Sequence, residues 1–128
     1  MDFKRYMNEI ENHPGYYDDT DISMALESKG PIRVYLDDMR GAPPGWILVR
    51  WPNEVIELLK RVNVSEISLD HDLGDDKRGT GYDVLTWIEK EVVLRDFVPP
   101  IINIHTANIS ARKKMEGAKR SIYKRIGK

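Results

Sequence analysis

The chain has 128 residues, 41% hydrophobic and 32% charged, which is room for one domain with a core of its own. Its 20 basic and 21 acidic residues sum to a formal charge of −1, removing the simplest electrostatic case for a nucleic-acid or membrane binder. The absence of cysteine excludes a disulfide scaffold, a thiolate metal site and a cysteine nucleophile. No apolar run approaches the roughly 20 residues of a membrane span, and polar residues follow Met1 where a signal peptide would be apolar, so a soluble cytoplasmic protein is expected.

Residues 1–30 read as an N-terminal extension. Phe3, Met7 and Ile10 recur at helical spacing, His13-Pro14-Gly15 stops that helix, and Ile22 to Leu26 suits a short second one. The regular pattern, and with it a domain over 31–128, starts at Pro31. Ile32 to Leu36 predicts a strand running into Asp37-Asp38, and Gly41-Ala42-Pro43-Pro44-Gly45 then forbids regular structure. Trp46 to Trp51 is a second apolar run, followed by a helix opened by Pro52 with Val55, Ile56, Leu59 and Val62 on its face. Ser65 to Leu69 predicts a strand ending in Asp70-His71-Asp72, and Tyr82 to Arg95 a helix with Val84, Leu85, Ile88 and Val92 inward. After Pro99-Pro100 comes a strand over Ile101 to His105, then a helix from Ser110 with Ala111, Met115, Ala118 and Ile122 on one side. Asn108 and Ser110 compete for its N-cap. Trp46, Trp51 and Trp87 fall on core elements and read as packing.

Strands alternating with helices imply an α/β fold with a short, mainly parallel sheet of about four strands. The polar residues Asp37, Asp38, Asp70, His71, Asp72, His105, Thr106 and Asn108 then collect at the C-terminal ends of three strands, the edge where parallel α/β sheets bind ligands. Three carboxylates brought together (Asp37, Asp38 and Asp70) need a compensating cation, and hard oxygen ligands select Mg²⁺ or Mn²⁺. Aspartate is also common in turns, which is the plainer account of Asp75-Asp76. His71 and His105 add what metal binding alone does not need, a group that can carry a proton at neutral pH. The N–H groups at the start of the last helix suit a phosphate oxygen.

Charge is unevenly distributed. Residues 109–128 hold eight basic residues against Glu116, a net of +7, which leaves −8 in residues 1–108. The last helix is thus either a solvated face or an RNA-binding element.

Leu36-Asp37-Asp38, Ile67-Ser68-Leu69-Asp70, Gly79-Thr80-Gly81 and Pro100 to Ala107 resemble the corresponding segments of a response-regulator receiver domain. No fifth strand carrying the receiver's lysine follows. Closer still, Leu36–Arg40, Ser68–Gly74 and Ile104–Asn108 resemble the receiver-like family predicted to process cyclic phosphates. The resemblance implies a receiver-like (flavodoxin-like) three-layer fold. With the site residues it points to a Mg²⁺- or Mn²⁺-dependent phosphoesterase acting on a cyclic or terminal phosphate of a nucleotide or RNA. Asp37, Asp38 and Asp70 hold the metal in this reading, and His71 or His105 moves the proton. Asp72 orients a histidine or adds a ligand, while Thr106, Asn108 and Arg40 bind the phosphate. Asp70 is alternatively a nucleophile that forms an aspartyl-phosphate. The rival is a non-enzymatic module that senses a nucleotide or phosphate and docks on a partner. Without a fifth strand the fourth becomes a sheet edge, to be covered by the extension, the last helix or the second subunit of a homodimer.

Overall fold

Four short runs rich in Ile, Leu and Val form one sheet. The computed structural model describes residues 20–39 and 41–127. In chain order the elements are α1 (Thr20–Glu27), β1 (Ile32–Leu36), β2 (Ile47–Val49), α2 (Pro52–Arg61), β3 (Val64–Leu69), α3 (Gly81–Arg95), β4 (Ile101–Ile104) and α4 (Ile109–Arg125). The strands lie in the order β2-β1-β3-β4 and every pair is parallel. The expected α/β receiver-like class is therefore what forms. The helical spacing at Phe3, Met7 and Ile10, and His13 with it, lies outside the described residues.

Local chemistry explains the element ends. At α2, Glu54 is buried because its carboxylate accepts the Trp51 N–H at 2.8 Å and the Arg50 N–H at 3.0 Å, satisfying donors that the helix start leaves open. Glu57 is buried beside Arg61, 2.6 Å away. The buried stripe of α2 is accordingly Val55, Leu58 and Leu59, whereas Ile56 and Val62, expected inward, are only half-buried. At α3, Thr80 accepts the Tyr82 N–H and Asp83 accepts the Thr80 N–H at 2.8 Å, a reciprocal cap that starts the helix. Val84, Leu85, Ile88 and Val92 all point inward as expected.

Side-chain alternation along the strands divides the sheet into two unlike faces. Register aligns Val34 with Ile67 and Ile102, and Leu36 with Leu69 and Ile104, on one face. Against it pack Ile22 and Ala25 of α1, Leu58 of α2, Ile88 of α3, and Met115 and Ile122 of α4, in a single core. Fully burying one such Leu or Ile contributes about 1.5–3 kcal/mol. The other face presents Tyr35, Ser68 and Asn103 in register, and among the described residues the helices bury no side chain against it. Among the described residues between β1 and β2 there is no helix.

At the β4 edge the Ile102 N–H donates to the Tyr123 hydroxyl of the last helix at 2.9 Å. On α4, Ala111, Met115 and Ile122 are buried and Ala118 half-buried, as the sequence spacing predicts. Trp51 is buried, and Trp46 and Trp87 pack edge-on against Tyr35 and Phe97.

Candidate functional site

The parallel ladder runs one residue past three strand ends. Asp37 N–H donates to the Val49 carbonyl, Asp70 N–H to that of Leu36 and His105 N–H to that of Leu69, at 3.0–3.1 Å. Asp37, Asp70 and His105 therefore keep strand alternation and share the sheet face of Tyr35, Ser68 and Asn103. One ligand atom from each lies within 4.8 Å of the others. These residues can hold a metal ion.

His105 is fixed on three sides. Its Nε2 lies 3.1 Å from Asp37 Oδ2, its Nδ1 lies 2.7 Å from Ser68 Oγ, and its ring stacks on Tyr35 at 4.2 Å and 5°. A hydroxyl can donate or accept, so Ser68 supports either imidazole tautomer. Asp37, 6% exposed, also accepts the Met39 N–H at 2.8 Å, which ties the start of the 37–46 loop to the site.

Burial pushes the Asp70 carboxyl above its usual range, and the nearby Asp37 charge adds to this. The His71 N–H, donating at 2.7 Å, and a hydrogen bond from buried Thr106 oppose the rise without cancelling it. A raised carboxyl favours the fold below the ordinary value of 3.8 and loses that contribution as pH climbs through the raised value. In the metal-free protein, Asp70→Asn is therefore expected to raise the urea midpoint at pH 7, with the gain shrinking toward pH 4. A midpoint at pH 7 equal to or below that of the parent contradicts this account of the carboxyl.

Asp37, Asp70, Asp72, His105 and Thr106 line an open cavity of about 450 Å³, with Tyr35, Met39 and Ala107 completing its wall. His71 and Asn108 are not among its lining residues. His71 instead holds Asp72, with Nδ1 2.7 Å from Oδ1, and the Asn108 amide donates to Asp72 Oδ2 at 3.3 Å. Both bonds keep the Asp72 carboxyl below the usual range. Asn108 is also the N-cap of α4, accepting the Ala111 N–H at 3.0 Å, so its side chain is spent within the protein. Asp38 does not join the cluster. One residue out of phase with Asp37, it has Oδ2 beside Gly74, 3.7 Å from where a Cβ would stand. Arg40 lies outside the described residues. Asp75 accepts the Lys77 N–H at 3.0 Å and opens a single 3-10 turn, as befits a turn aspartate.

Ser68 and Tyr35 were not expected at the site. Both stand two positions before a site aspartate on the same strand face, a spacing visible in the sequence once the strands are assigned.

Searches of curated proteins and of solved structures return no significant match. The model of the cyclic-phosphate processing receiver domain matches residues 32–121, which include every element from β1 to β4 and most of α4. The four-stranded parallel sheet and the acidic strand ends agree with that match, and the chain belongs to the cyclic-phosphate processing receiver domain family.

Proposed function

We propose that the protein is a divalent-cation-dependent phosphoesterase that hydrolyses a cyclic or terminal phosphate of a nucleotide or RNA. The observation that carries this reading is the convergence of Asp37, Asp70 and His105 in one cavity. Two apposed carboxylates, one of them with a raised pKa partly from the other's charge, fit a small hard cation. Oxygen donors favour Mg²⁺, with Mn²⁺ the second choice. When bound, the cation polarises a phosphoryl oxygen. Asp37 and Asp70 would hold it, and Thr106, which also lines the cavity, hydrogen-bonds Asp70. His105 is the proton carrier, because it lines the cavity while His71 is turned to Asp72. In hydrolysis the water oxygen bonds to phosphorus and one phosphate ester bond breaks. His105 takes the water's proton and passes it to the freed oxygen, which leaves as a hydroxyl.

The test is incubation with Mg²⁺ or Mn²⁺ and a panel of cyclic nucleotides and RNAs ending in 2′,3′-cyclic phosphate. Turnover that chelation abolishes and added metal restores is expected for at least one member. No turnover on any member, or turnover undiminished by Asp70→Asn, overturns the reading. Tight nucleotide binding with no turnover favours a sensing module instead.

A further inference from the structure

The outward side of α4 carries more positive charge than a single phosphate can use. Ala111, Met115 and Ile122 face the core. Lys113, Arg120 and Lys124, at i, i+7 and i+11, form a stripe on the opposite side, and Gly117 between them adds no side chain. All three are exposed and have no ion-pair partner among the described residues. Arg125 is different: it pairs with Glu89 at 2.9 Å, and Lys114 lies over the Tyr82 ring at 4.0 Å. Glu116 is the single acidic residue of the helix.

Length identifies the kind of ligand. Lys113 and Lys124 are separated by about 16 Å along the axis at 1.5 Å per residue. One phosphate group cannot reach both ends, so a ligand that uses the stripe carries several. The stripe also starts near the cavity: Ala107 lines it, and Asn108, the cap of α4, donates to Asp72 of its wall. Residues 1–108 carry a net −8, so the chain's net positive charge is concentrated in this terminal segment.

We propose that the Lys113–Arg120–Lys124 face of α4 holds the backbone of a single-stranded polynucleotide whose end enters the cavity. That the end is the group processed rests on the phosphoesterase reading; the backbone contact does not. A mononucleotide needs the cavity alone, whereas a strand needs both.

The full-length protein and its Lys113→Gln/Arg120→Gln/Lys124→Gln variant are compared by fluorescence anisotropy with a 12-nucleotide single-stranded RNA bearing a 3′-phosphate, between 50 and 200 mM salt. Three phosphate contacts predict a slope of log affinity on log salt near −2 for the parent, at about −0.7 per contact. The variant is expected to bind at least about tenfold more weakly at 50 mM, with a slope near zero. Binding of a cyclic mononucleotide and the melting temperature are expected to be unchanged. Equal slopes and affinities in the two proteins overturn the proposal, as does tighter binding to anionic phospholipid vesicles than to the RNA. Strand binding by the parent without turnover of any cyclic phosphate sinks the phosphoesterase alone. Turnover without strand binding sinks the role of the helix alone.

Discussion

Replacing His105 with alanine is expected to lower turnover of a cyclic phosphate by about 10²–10⁴-fold, the range that a positioned proton carrier contributes. The ring is bracketed by the Tyr35 ring, Ser68 Oγ and Asp37 Oδ2, so its removal leaves a slot of imidazole size beside the carboxylates. Free imidazole added to the variant is expected to restore part of the lost rate, which no purely structural role of His105 would allow. Ser68→Ala tests the support behind it. Ser68 is 7% exposed, bonds the ring and is not itself among the cavity-lining residues, so kcat is expected to fall about tenfold while KM holds. Melting curves of both variants separate these effects from loss of fold. A fully active His105→Ala, or a comparable loss in His71→Ala alone, moves the proton to the His71–Asp72 pair.

The strands and helices were legible because apolar periodicity and turn residues agree at nearly every boundary. β1 and α3 lie within one residue of their expected spans, and the cap of α4 is one of the two residues that competed for it. The sequence also collected the polar residues at the correct end of the sheet. It did not separate Asp37 from Asp38, because adjacent aspartates look alike in composition and differ only in which face the strand gives each. The rule that would have separated them is alternation: Tyr35 and Asp37, Ser68 and Asp70, and Asn103 and His105 are each two residues apart and share one face. Glu54 and Glu57 show a second blind spot. A carboxylate that caps its own helix is buried against the expectation from polarity, and the buried stripe of α2 then includes Leu58 while Ile56 stays half-exposed. The near-zero net charge hid more than either, since a −8 body and a +7 end suit a cation and a polyanion respectively.

Gly81→Ala is expected to be the most damaging glycine-to-alanine substitution among the described residues. Gly81 is the first residue of α3, where the helix presses on the strand end that carries Asp70. A Cβ there would overlap the Asp70 carbonyl oxygen and stand 3.0 Å from its carbon and 2.9 Å from Met115 Cε. The methionine end can swing aside, but the carbonyl belongs to the backbone that sets the Asp70 position. Overpacking usually costs about 1–3 kcal/mol, and a backbone obstacle puts this case at the upper end or above it. Against a total stability of about 5–15 kcal/mol that is a large share, and it corresponds to a melting temperature lower by about 10 °C or more. The same substitution at Gly117 is the control. It lies inside α4, and a Cβ there has a single close neighbour, the flexible end of Arg120 at 3.7 Å. Alanine in a helix interior gains about 0.5–1 kcal/mol over glycine, so Gly117→Ala is expected to melt slightly above the parent. Thermal denaturation of the two variants beside the parent gives shifts of opposite sign. A Gly81→Ala protein that melts with the parent would mean that α3 is free to move away from Asp70, and that its close packing does not hold the carboxylate in place.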